Sequence, residues 1–179
     1  GYALIGNGGQ YATGTMSGNI SVAAGCTLAL TAGNNGMDAR IGNGGDKGSS
    51  QNSASGTISV AAGNLTLTGA SNVGSREGYA AIGNSAIYNS GVAGSGIASG
   101  NIAINVSGTT KVVSTDGQGD AWIGHATTPG GSQSGSVTLI TRNLDDSADN
   151  NDDIGQFVVS DLSGGAVTFG ITNAAATNT

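Results

Sequence analysis

One short phrase recurs along this chain and limits what it can fold into. Tyr2-Ala3-Leu4-Ile5-Gly6-Asn7 returns as Asp38-Ala39-Arg40-Ile41-Gly42-Asn43, as Tyr79-Ala80-Ala81-Ile82-Gly83-Asn84 and as Asp120-Ala121-Trp122-Ile123-Gly124-His125. A worn fifth copy reads Asp152-Asp153-Ile154-Gly155-Gln156. From Ile5 to Ile41, Ile82, Ile123 and Ile154 the steps are 36, 41, 41 and 31 residues. Periods of this length mark solenoids, propellers or arrays.

Two further elements travel with the phrase. Ser17-Gly18-Asn19-Ile20-Ser21-Val22 recurs from Ser55, Ser99 and Ser134, and loosely from Ser163. Leu28-Ala29-Leu30-Thr31 recurs as Leu65-Thr66-Leu67-Thr68 and, less cleanly, as Lys111-Val112-Val113-Ser114. All three alternate apolar and polar with period two, which is a strand signal. In the first element Ala and Ile share one face. The variable position between them (Leu4, Arg40, Ala81, Trp122, Asp153) reads as a solvent face.

A single repeat cannot bury such faces alone, but stacked copies can. Ile5, Ile41, Ile82 and Ile123 would then lie one above another at the parallel-strand spacing of roughly 4.8 Å. The expected fold is all-β: a right-handed parallel β-helix, or β-solenoid, with about three strands per coil and four to five coils. The connection rule for parallel strands favours the right hand, which the residue order itself does not show. Residues 1–142 form regular coils. Residues 143–179 form an atypical last coil with an Asp-rich loop, in the same domain, where Asp residues replace the third strand. The Gly- and Ser-rich stretches 8–16, 44–54 and 85–98 read as surface loops.

The residue after Ile-Gly is Asn7, Asn43, Asn84, His125 and then Gln156. In a stack these side chains form a column at a turn. Two readings exist: a ladder of side-chain hydrogen bonds along the axis, or a set of residues that merely tolerate a tight turn.

Composition removes several classes. Gly supplies 34 of 179 residues and charged residues only 9%, which disfavours a helical bundle. A net charge of -6 repels phosphate, so no nucleic-acid partner is expected. No apolar run is long enough to insert in a membrane. The one Cys, Cys26, excludes an internal disulfide, and it reads as a small buried or half-buried residue.

The Tyr-Ala-x-Ile-Gly-Asn-Gly-Gly run at 2–9, followed by Ser-Gly-Asn-Ile-Ser-Val at 17–22, resembles repeats of filamentous haemagglutinin-like exoproteins. These are large adhesins of bacterial two-partner secretion, with related autotransporter-type surface proteins. The resemblance covers residues 1–142 and fades beyond. It implies a β-helical stalk that is exported unfolded and displayed at the cell surface, outside the cell. It implies adhesion, aggregation or biofilm formation without catalysis. The partner would be an unidentified glycan or protein of a host or bacterial surface. A purpose-built filament subunit that associates end to end is the alternative.

Candidate chemistry is sparse. Asp145, Asp146, Asp149, Asp152 and Asp153 offer the oxygen donors calcium prefers. Their spacing matches neither the EF-hand nor the calcium β-roll, and a solvated acidic loop is the other reading. No cofactor is expected otherwise, and the single His125 excludes a His-based metal site. A polysaccharide-acting enzyme is the competing class, since such enzymes also use β-helices. Asp38 and Asp120, two coils apart and so about 10 Å from each other, stand at the far edge of a hydrolase carboxylate pair. The chain reads as a non-enzyme. Tyr2, Tyr79 and Trp122 lie along the outer face of the first element and form the candidate ligand-contacting surface.

Overall fold

The structure is a computed structural model that describes residues 2–9, 13–34, 37–45, 51–70, 78–86, 96–113, 121–127, 131–145 and 167–171. All regular structure in these residues is β-strand. Among them no helix is long and apolar enough to cross a membrane.

The first repeat supplies β1 (Ala3–Ile5), β2 (Gly14–Ser17) and β3 (Ile20–Thr31). The second supplies β4 (Ala39–Ile41), β5 (Gly44–Gly45), β6 (Gln51–Ser55) and β7 (Ile58–Thr68). The third supplies β8 (Ala80–Ile82), β9 (Ser85–Ala86), β10 (Ile97–Ser99) and β11 (Ile102–Val113). The fourth supplies β12 (Ala121–Ile123), β13 (Ala126–Thr127), β14 (Ser132–Ser134) and β15 (Val137–Asp145), and β16 (Val167–Ile171) follows.

Each repeat adds one strand to each of three sheets. The sheet orders are β1-β4-β8-β12, β2-β6-β10-β14 and β3-β7-β11-β15-β16, with a two-residue-wide sheet β5-β9-β13 between the first two. Every neighbouring pair is parallel. Like residues pair with like: Ile5 with Ile41, Ile41 with Ile82, and Ile82 with Ile123. In the long sheet, Ile20, Ile58, Ile102 and Val137 form one column, and Val22, Val60, Ile104 and Leu139 the next. Side chains one strand spacing apart pack against their own kind, so the repeat period converts directly into burial.

The core lies where these columns meet. Ile41, Ile58, Leu65, Leu67, Ile82, Ile102, Ile104 and Ile123 are all at most 1% exposed. Ile5 begins the same column but is 48% exposed, because β4 covers only one side of β1. Small and β-branched residues suit this interior, since each repeat must fill a narrow cross-section with few side chains.

Several sequence expectations are corrected here. The second and third elements are not separate strands. Both lie in one long strand (β3, β7, β11), bent where the register shifts between Ala24 and Thr27 and between Val106 and Thr110. That shift is a β-bulge, which turns the strand without ending it. Cys26 sits in the bulge and is exposed rather than half-buried. The stretches expected to be loops hold most of β2, β6 and β10, three strands of the sheet β2-β6-β10-β14, whose inward residues include Ala54 and Ala98, both fully buried. The fourth repeat also keeps its long strand past Arg142. Asn143, Leu144 and Asp145 pair with Thr109, Thr110 and Lys111. Leu144 occupies the column of Leu28 and Leu65, so an apolar side chain remains where acids were expected to take over.

The position between Ala and Ile in the first element is also not a solvent face. Arg40 is 5% exposed and Ala81 is 2% exposed. The β5 segment that follows the turn supplies the Gly45 carbonyl, which accepts a bond from Arg40 Nη1 at 3.2 Å. The Tyr79 ring lies over the guanidinium, its centroid 5.9 Å from Cζ, within cation–π range.

Candidate functional site

The turn after each Ile-Gly aims a polar side chain into the protein. Asn43 and Asn84 are fully buried and His125 is 7% exposed. A buried amide must find partners for its oxygen and its nitrogen. Here the oxygen works along the stack. The Asn7 backbone N–H donates to Asn43 Oδ1 at 3.0 Å, and the Asn43 N–H donates to Asn84 Oδ1 at 2.9 Å. The Asn84 N–H donates to His125 Nδ1 at 3.1 Å.

The nitrogen works across the repeat. Asn43 Nδ2 donates to the carbonyls of Gly18 at 2.6 Å and Ser55 at 2.8 Å. Asn84 Nδ2 donates to Gly56 at 2.8 Å and Ser99 at 2.7 Å. At the exposed first rung, Asn7 Nδ2 donates to the Ser17 carbonyl at 2.9 Å and also lies 3.3 Å from Asn43 Oδ1. Each rung therefore ties the Ile-Gly turn of its own repeat to the Ser-Gly turns of its own and the preceding repeat. A buried rung thereby bonds one backbone N–H and two backbone carbonyls, along with its own amide oxygen and nitrogen.

Glycine makes room for the rung. A Cβ on Gly83 would collide with the Gly124 carbonyl of the next repeat, so the turns can approach this closely only without one. Gln156, the last member of the column, lies outside the described residues.

A second set of braces went unassigned in the sequence. Asn19 Oδ1 accepts from the Thr57 N–H at 3.1 Å, Asn101 Oδ1 from the Ser136 N–H at 3.1 Å, and Asn64 Oδ1 from the Thr109 N–H at 2.9 Å. These outer oxygens accept from the following repeat, whereas the inner ladder accepts from the preceding one. Asn19 and Asn101 stand at the same place in the Ser-Gly-Asn-Ile phrase, which is the signal that could have identified them. Inside the bend of the long sheet, Thr110 Oγ1 donates to Thr141 Oγ1 at 3.0 Å, and both residues are buried.

The aromatic strip lies on the outer side of the first sheet. Tyr79 and Trp122 stack with ring centroids 4.7 Å apart at 36°. Both are half-buried, and Trp122 stands one repeat above Ala81 in register. Tyr2 is 44% exposed. The column from Tyr2 through Asp38 to Tyr79 was expected to face outward throughout, but Asp38 is 4% exposed. Its Oδ1 accepts the Tyr79 N–H at 3.2 Å, so the carboxylate serves the strand stack. Beside it, a cavity of about 10 Å³ between Tyr2, Leu4, Asp38 and Arg40 has room for one water.

The proposed carboxylate partner Asp120 lies outside the described residues. So do Asp146, Asp149, Asp152 and Asp153, and of the acidic stretch only the backbone of Asp145, at the end of β15, is described. Among the described residues no group of three or more His, Cys, Asp or Glu side chains comes together. On the outer face of the bent sheet, a shallow groove of about 360 Å³ is lined by Ala24, Ala62, Gly63, Asn105 and Ser107 among others. No family model, curated protein or solved structure matches the chain.

Proposed function

We propose that the stacked sheets close into a right-handed parallel β-helix that serves as a rigid, non-catalytic segment of a bacterial surface fibre. The observation that carries this reading is the like-on-like register held from the first repeat to the fourth. A stack of that kind lengthens by addition of repeats and keeps one cross-section. Right-handed crossover is the rule for parallel strands. Extracellular display and adhesion come from the resemblance of the repeat phrases to two-partner-secretion adhesins. The buried, hydrogen-bonded carboxylate of Asp38 supports a structural role over glycoside hydrolysis, which needs acids open to substrate.

In this reading the Tyr2, Tyr79 and Trp122 strip contacts a surface glycan or protein. Replacing Tyr79 and Trp122 together by Ala should weaken binding of the purified chain to cells or to a glycan array by tenfold or more. Their ring contact also supports the fold, so binding is compared well below the variant's melting temperature. Equal binding by variant and wild type would remove the strip from the adhesive role. Electron microscopy of the same preparation separates the alternative. Long fibres grown from the isolated chain would make it a self-assembling filament subunit, and single short rods would favour the stalk.

A further inference from the structure

The rung at His125 differs from the other described rungs in carrying a group that titrates near neutral pH. Two of its bonds decide its protonation. The Asn84 backbone N–H can only donate, so Nδ1 must be the bare nitrogen. The Gly100 carbonyl, 2.7 Å from Nε2, can only accept, so Nε2 must carry the hydrogen. One neutral tautomer meets both conditions. In that form the imidazole copies an asparagine, with Nδ1 in the role of Oδ1 and Nε2–H in the role of Nδ2.

The imidazolium cannot do this. It carries a hydrogen on both nitrogens and would set a donor against the Asn84 N–H. The ring is only 7% exposed, so water has little access to repair the rung. We propose that His125 is an acid-sensitive latch between the third and fourth repeats, which opens on proton uptake while the Asn rungs of the earlier repeats hold.

The charged and titratable side chains on the described elements around the ring are few. They are Tyr79 ahead of β8, Lys111 in β11, and Arg142 and Asp145 in β15. Lys111 lies nine residues beyond Ile102, about 30 Å along the strand, and Arg142 and Asp145 lie five and eight residues beyond Val137. None belongs to the turns at Asn84 and Gly100 that bond the ring. The direction of the effect follows. The folded stack holds the neutral ring, whereas the unfolded chain takes up a proton below the ordinary imidazole range near pH 6.5. Stability is complete above that range and falls as pH drops through it. Each repeat touches only its neighbours, so the loss falls on the seam between β8–β11 and β12–β15.

His125→Asn provides the test, because Asn already fills this rung in the earlier repeats. Melting temperatures of wild type and variant are followed from pH 7.5 to pH 5. Carboxylates contribute equally to both, so the difference isolates the imidazole. The wild type should lose about 3 °C or more relative to the variant over this range. Hydrogen exchange in β12 and β15 should quicken in the wild type alone. Nitrogen NMR of the single histidine in the wild type gives a reading that does not depend on the variant folding well. At pH 7.5 it should show the Nε2–H tautomer, and the folded protein should show no imidazolium near pH 6. Two melting curves that fall in parallel, or a folded-state imidazolium that forms near pH 6.5 as in a free peptide, would each overturn the latch.

Discussion

Asn84→Leu should cost about 2 to 6 kcal/mol of stability, enough to leave most of the chain unfolded in mild denaturant. Leu branches at Cγ as Asn does and is no smaller, so the loss comes from polar groups rather than from a void. The substitution strands the Asn43 N–H and the Gly56 carbonyl, whereas the Ser99 carbonyl keeps the Gly56 N–H, and each buried orphan costs about 1 to 3 kcal/mol. Asn7→Leu is the matched control. The Asn7 side chain donates through Nδ2 as Asn84 does but is exposed, so water replaces what is lost and the cost should stay under about 1 kcal/mol. Urea titration of the two variants reads the difference as a shift in midpoint. Equal shifts would mean that the column contributes turn geometry and nothing more, which is the simpler of the two sequence readings.

The second large effect is expected at Gly100. Its φ of +125° is a region that L side chains rarely adopt, and a Cβ there would collide with the Gly56 carbonyl of the preceding repeat. Gly100 also supplies the carbonyl that holds His125 Nε2. Gly100→Ala must force the two Ser-Gly turns apart and should cost at least about 3 kcal/mol. Gly14 separates strain from collision. Its φ is +90°, but a Cβ there meets nothing within 4 Å. Gly14→Ala should therefore carry the backbone penalty alone, about 1 to 2 kcal/mol. Thermal unfolding of the pair decides the matter, and equal losses would show that close approach of the turns is not the constraint.

Much of this architecture could be read from residue order, and the failures share a cause. The Ile5, Ile41, Ile82 and Ile123 column was visible because large apolar residues at a fixed period have one economical arrangement. The Asn column was visible because it follows those Ile residues at a constant offset. The sheet β2-β6-β10-β14 was not visible. Its inward positions are small (Ala54, Ala98), and such residues do not stand out against the Ser and Gly around them. Arg40 was misplaced because variability at its position was taken as a sign of solvent, whereas the guanidinium is covered by Tyr79 and held by Gly45. The bulges were hidden as well. Gly25 and Gly63 look like turn residues, and only the pairing register shows that the strand runs through them. His125 looked like one polar residue replacing another. What distinguishes it is which of its nitrogens faces a donor, and that depends on coordinates.

Among the described residues, the backbone hydrogen bonds that join successive repeats run in the direction in which the repeats pile up. Tension applied between the two chain ends therefore loads one seam at a time, as a zipper is opened, instead of shearing many bonds together. Each seam that gives way frees 36 to 41 residues, the spacing between rungs, or about 120 to 140 Å of extended chain. A force–extension trace should show a sawtooth with steps of that length, and a single abrupt rupture would contradict it. In the surface fibre proposed above, such a stack would yield in stages under a sudden pull and rewind when the load is released, a shock absorber as well as a spacer.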